Sequence, residues 1–125
     1  MKILLAITTI GAAGLLSASV AAAEDLSALF PVRIGAYAPL AGGCDAPAAA
    51  MIYVESKGLA ANKTAGLVRT ISRKDENYVL EVLWVEVGAE EKEGDPDRVT
   101  IVVQDDRHFW FTNSESERTL MAWCN

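Results

Sequence analysis

The stretch NYVLEVLWVEV, residues 77–87, decides the fold. Valine, leucine and aromatic residues fill it, and no glycine or proline interrupts it. Such residues suit a pleated, half-buried surface. With the two-residue period of a strand, one face carries Tyr78, Leu80, Val82, Trp84 and Glu86. The other carries Val79, Glu81, Leu83, Val85 and Val87. Both faces are apolar over most of their length. That predicts a strand covered on both sides, or one long enough to curve round a small barrel.

The neighbouring segments repeat the signal. RVTIVVQ (98–104) is a strand, DDR turns it, and HFWFT (108–112) returns as the second arm of a hairpin. RTLMAWC (118–124) is the last strand, after the polar loop NSESE. Upstream, TAGLVRTIS (64–72) runs into the turn KDEN, AMIYVES (50–56) is a strand leading into a turn at KGL, and RIGAY (33–37) is another. After Cys44, DAPAAAM offers an Asp cap and a Pro for a short helical turn, and EDLSALF (24–30) reads as a short helix. About six to eight short strands with turn signals between them define a mainly all-β domain. An antiparallel meander fits, closed as a β-barrel or packed as a two-layer sandwich. The barrel is preferred, because sequential hairpins close easily.

The N-terminus has the form of an export signal. Lys2 precedes an uncharged, Leu/Ile/Ala-rich run, and Ala21-Ala22-Ala23 supplies small residues before Glu24-Asp25. Cleavage after Ala23 divides the chain into a signal peptide, 1–23, and one small β-domain, 24–125. A stop-transfer helix is disfavoured by the Thr, Ser and Gly residues in the run and by the acids that follow. The expected location is periplasmic or secreted, with no membrane span in the mature chain.

PLAGGCDAP (39–47) imitates a lipid-attachment signal, but Cys44 lies well past the hydrophobic run. Cys124 is the other of the two cysteines. In an oxidising compartment the pair reads as one disulfide, Cys44–Cys124. The chain-entropy treatment gives such a long loop about 4.5 kcal/mol. A domain of this size has only about 5–15 kcal/mol of net stability. The absence of a Cys-x-x-Cys or His-x-His spacing argues against redox and metal sites.

Half the chain is hydrophobic (51%), enough for a core. The net charge is −6, and loss of Lys2 with the leader makes it one unit more negative. That balance disfavours nucleic acid and anionic membranes, which reward basic clusters. An acidic surface favours basic partners.

The loop GAEEKEGDPD (88–97) gathers Glu90, Glu91, Glu93, Asp95 and Asp97. Calcium is one reading of so many oxygen ligands, but the spacing matches no EF-hand. Electrostatic contact with a basic protein suits the loop better. His108, the only histidine, stands near Asp105 and Asp106, with Thr112, Ser114 and Ser116 as conceivable nucleophiles. A strand histidine after a turn explains it more simply, so no catalytic residue is assigned. In the last strand Leu120, Ala122 and Cys124 share one face, and Thr119, Met121 and Trp123 the other. If the disulfide side faces the core, Met121 and Trp123 point outward beside Trp110 as a binding patch. If both faces are covered, they are core.

In general plan the chain is similar to small periplasmic β-barrel proteins, including lysozyme-inhibitor-type domains. Those are also exported, of about this size and disulfide-closed, and the resemblance is one of fold. The expected function is an exported binding module that docks or inhibits a basic envelope or extracellular protein. Its expected contacts are Glu90, Glu91, Glu93, Asp95, Asp97, Trp110 and Trp123. A carrier of a small lipid-like ligand, or a structural envelope protein, is the alternative. No enzymatic activity, cofactor or metal is expected.

Overall fold

Alternation in the 77–87 stretch sets the inside and the outside of the molecule. In the structure, a computed structural model describing Val20, Ala21 and residues 31–125, Tyr78, Leu80 and Val82 point into the core and are at most 2% exposed. The opposite face of the stretch is half-buried at Val79, Glu81 and Leu83, and Val87 is open to solvent. The proposed signal peptide, apart from Val20 and Ala21, and the short helix expected over 24–30 lie outside the described residues.

Nine strands occur among the described residues: β1 (Val20–Ala21), β2 (Gly35–Pro39), β3 (Ile52–Val54), β4 (Gly58–Ala61), β5 (Thr64–Lys74), β6 (Asn77–Glu86), β7 (Asp95–Asp105), β8 (His108–Thr112) and β9 (Thr119–Trp123). From β2 to β9 each pairs antiparallel with the next in sequence. β9 then pairs with β2, Tyr37 opposite Trp123, and closes an eight-stranded up-and-down barrel. The short β1 pairs with Thr70 and Ile71 of β5. The barrel, not the sandwich, is therefore the fold, and each connection joins only adjacent strands, by short turns in most cases and by residues 40–51, with two 3-10 turns, between β2 and β3.

Two expectations are corrected in detail. The KGL segment is not merely a turn, because Gly58–Ala61 forms β4. Its small residues carry little strand preference, and Gly58 lies so close to the Gly66 carbonyl that a Cβ there would sit 2.6 Å from the oxygen. β7 also begins at Asp95 rather than Arg98, so the acidic loop is shorter than the 88–97 segment.

The disulfide Cys44–Cys124 spans a sequence separation of 80, with the Cα atoms 5.7 Å apart. It ties a 3-10 turn, Gly43–Asp45, to the end of β9, and so pins the β2–β9 seam. Its side of β9 is the outer one. Met121 is 2% exposed and Trp123 packs against the core, so the alternative with Met121 and Trp123 facing outward is overturned.

Tyr37, Tyr78, Phe109, Leu59, Leu80 and Ile101 fill the middle of the barrel. Eight strands enclose a space just wide enough for such side chains. The Tyr37 and Phe109 rings meet at 4.6 Å between centroids, tilted by 50°. One end of the barrel is sealed. Val32 is buried there, the Arg33 amide donates to the Asp106 carbonyl at 2.8 Å, and the Tyr37 hydroxyl donates to the Arg33 carbonyl at 2.7 Å. Burial raises the Tyr37 pKa to about 12.

Candidate functional site at the open end of the barrel

The other end is open. β4, β5 and β6 end level at Ala61, Thr64 and Glu86, but β7 runs on beyond Thr100, the partner of the last β8 residue Thr112, as far as Asp95 beside Trp84 of β6. This stagger leaves a mouth of about 570 Å³. Its floor is apolar: Ile52, Trp84, Phe111 and Met121 belong to the core or pack against it. Its rim bears four carboxylates, Glu86, Asp95, Asp97 and Glu115, and among the described residues no lysine or arginine lines it.

Trp84 is the best-fixed side chain of the mouth. It lies opposite Gly66 in the β5–β6 register. The six-membered ring occupies the space a side chain at Gly66 would need, since a Cβ there would stand 2.7 Å from Cζ3. A glycine covered by a cross-strand aromatic is a recurring way to fix both. On the β7 side, the indole Nε1 donates to Asp97 Oδ2 at 3.0 Å.

Asp97 holds the rim together. Its Oδ1 accepts from the Arg98 amide at 2.8 Å and the Ser114 amide at 3.2 Å. Partial burial pushes the carboxyl pKa upward, but hydrogen bonds from the Ser114 side chain, the Trp84 indole and the two amides outweigh it, leaving it below the usual carboxylate value. A carboxylate has about four lone-pair sites, so these donors nearly saturate it.

The structure divides the expected acidic loop into separate roles. Glu90 and Glu93 form a capping box around the 3-10 turn Glu91–Glu93, with the Glu90 amide donating to Glu93 Oε1 at 3.0 Å. Glu91 pairs with Arg69 at 3.0 Å, and Lys92 with Glu90 at 3.5 Å. This turn leads into Gly94, which lies against Leu83 and Val85 on the outer wall of β6. Asp95 and Asp97 alone of the five line the mouth. The Glu86, Asp95 and Glu115 side chains are exposed and have no hydrogen-bond or ion-pair partner among the described residues.

Trp110 and Trp123 are not brought together. Trp110 stands on the outer wall with the Arg118 guanidinium 4.1 Å from its ring centroid, beside a more open groove shared with Leu40 and Leu120. Trp123 faces inward at the sealed end. Its Nε1 donates to the Ile34 carbonyl at 3.1 Å, and Arg33 and Arg107 lie 4.7 and 5.5 Å from its centroid. His108 Nδ1 is 2.8 Å from Asp105 Oδ1 at the start of β8. Ser114 and Ser116 follow the far end of β8, so the conceivable catalytic group is not assembled. The His108 hydrogen bond, followed by one from the Arg107 amide, holds Asp105 below the usual carboxylate value.

Sequence reasoning missed Trp84, Glu86 and Glu115 as site residues, and weighed Ser114 only as a nucleophile. One signal was present: the inward face Tyr78, Leu80, Val82, Trp84 ends on Glu86, and a charge that ends a core-facing row marks the place where a barrel opens. Nothing local in NSESE says that Glu115 stands across from it. No family model, curated protein or solved structure matches the chain.

Proposed function

We propose that the domain is an exported binding module whose open end docks a basic protein of the envelope or the extracellular medium. The observation that carries this reading is the lining of the mouth, four carboxylates over an apolar floor with no cationic side chain among the described residues that line it. Such a surface attracts a positive partner and repels a negative one. The signal-like segment 1–23 and the disulfide support an oxidising, extracytoplasmic setting. Inhibition of a basic hydrolase is one form this docking takes. The contacts move from Glu90, Glu91 and Glu93, which are occupied within the fold, to Glu86, Asp95 and Glu115. The carrier alternative has less room, because side chains fill the middle of the barrel and leave only the mouth.

The test uses two variants as bait against the envelope extract of the host. One carries Glu86→Gln, Asp95→Asn and Glu115→Gln; the other carries Glu90→Gln, Glu91→Gln and Glu93→Gln. A basic protein retained by the natural chain, released by salt, and lost from the first variant but not the second is the expected result. A partner indifferent to salt and to both variants, or an acidic one, contradicts the reading.

A further inference from the structure

Resting on that reading, we propose that a single arginine or lysine side chain of the partner enters the mouth, its aliphatic stem on Trp84 and Met121 and its charged head among Glu86, Asp95 and Glu115. A partner could instead meet the acidic rim as a flat charged face, so insertion is a separate claim.

Shape favours insertion. At about 570 Å³ the mouth belongs with concave sites that enclose small groups, which run from about 300 to 1,000 Å³. Its floor is rigid, because Trp84 is held by Gly66 on one side and Asp97 on the other, while Met121 is part of the core. A preformed pocket loses little on closing round a ligand.

Chemistry then selects the occupant. An apolar group would cover the floor but strip water from the rim carboxylates without replacing it, which is costly. An acidic group would add repulsion. A lysine or arginine has an apolar stem and a cationic end, matching floor and rim in that order. Arginine matches better, since its flat guanidinium stacks on an indole and spans two carboxylates. Arg69 and Lys92 are paired with Glu91 and Glu90 outside the mouth, and Arg118 is stacked on Trp110. Lys63, in the turn before Thr64, is exposed and does not line the mouth. Asp97 contributes charge and position, not the direct contact, since its oxygens are already engaged.

The experiment titrates the full exported chain with N-acetyl-arginine amide, N-acetyl-lysine amide and, as the uncharged control, N-acetyl-norleucine amide. The readout is the indole N–H resonance of each tryptophan by NMR, with Trp84→Phe assigning the signal. The two basic probes are expected to shift the Trp84 indole saturably and leave Trp110 unmoved. Glu86→Gln/Asp95→Asn/Glu115→Gln is expected to weaken them by about tenfold or more, the effect of losing at least one charge-assisted contact. The variant keeps its fold, because none of the three carboxylates has a partner to lose. Equal binding of the norleucine probe, an unaffected triple variant, or no response to either basic probe overturns the proposal. If a basic partner is still retained in a salt-dependent way while both probes fail, insertion is wrong and rim docking stands. If both fail, the underlying reading falls with it.

Discussion

The Trp84 indole reaches diagonally across the β6–β7 pair to Asp97, two residues beyond its direct register partner Asp95, and donates to Oδ2 at 3.0 Å. One bond thereby joins the floor of the mouth to its rim. Removing the acceptor leaves a half-buried indole N–H and the Ser114 and Arg98 amides to find water. Asp97→Ala is therefore expected to destabilise the protein by about 2 kcal/mol at neutral pH, the range for hydrogen bonds to a charged group. Its folded pKa lies below its unfolded one, so this contribution is present above the unfolded value and is lost as pH falls through the folded value. Urea denaturation of both proteins at neutral and strongly acid pH checks it. The gap between them closes on acidification; a gap constant with pH refutes the role of the charge.

Gly66→Ala tests the other support of Trp84. The new methyl would meet the ring at 2.7 Å, so the indole must move. A loss of about 1–3 kcal/mol, typical of overpacking, is expected together with a changed Trp84 emission. Gly88→Ala is the control: it too alters a glycine near β6, but nothing lies within 4 Å of its Cβ, and only its positive φ of 92° adds strain. Trp84 emission unaltered in Gly66→Ala would mean the ring is not seated as described.

Replacing both Cys44 and Cys124 by alanine opens a loop that includes most of the barrel. The loss expected from chain entropy is up to about 4.5 kcal/mol, read as a lowered urea midpoint. The β2–β9 seam is where the structure should open first, since the bridge pins that pair and no turn joins its strands. Hydrogen exchange at Ala36 and Ala38 rising ahead of exchange in β6 supports this. Uniform acceleration along the chain contradicts it.

Neutralising Glu86, Asp95 and Glu115 together should leave the urea midpoint unchanged or slightly raised. These carboxylates have only like charges for neighbours in the mouth, and removing them relieves repulsion. Glu90→Gln/Glu91→Gln/Glu93→Gln should instead lower stability by a few tenths of a kcal/mol to about 1 kcal/mol, the range for exposed pairs and caps. The opposite ordering in paired denaturation curves would reverse the roles assigned to the two acidic groups.

The fold was largely legible because its strongest signal is local. The two-residue period of the 77–87 stretch, the turns at KDEN and DDR, and the paired cysteines each act over a few residues or through one bond. β4 was hidden because Gly58-Leu59-Ala60-Ala61 earns its place by close backbone approach, which leaves no composition signal. The face of β9 was ambiguous for a different reason. Leu120, Ala122 and Cys124 are as apolar as Met121 and Trp123, and only the barrel's curvature decides which row lies inside. The candidate site was least legible. It is built from the ends of β6 and β7, the loop after β8 and the start of β9, and closure of the barrel alone brings Glu86, Asp97 and Glu115 round one opening.

Hydrogen exchange on the complex with the retained basic partner tests the central claim most directly. The account predicts protection at the mouth, around Glu86, Asp95–Asp97 and Ser114–Ser116, with the sealed end at Arg33, Asp106 and Asn125 unchanged. Protection confined to the sealed end, or to the outer groove at Leu40, Trp110 and Arg118, would contradict it.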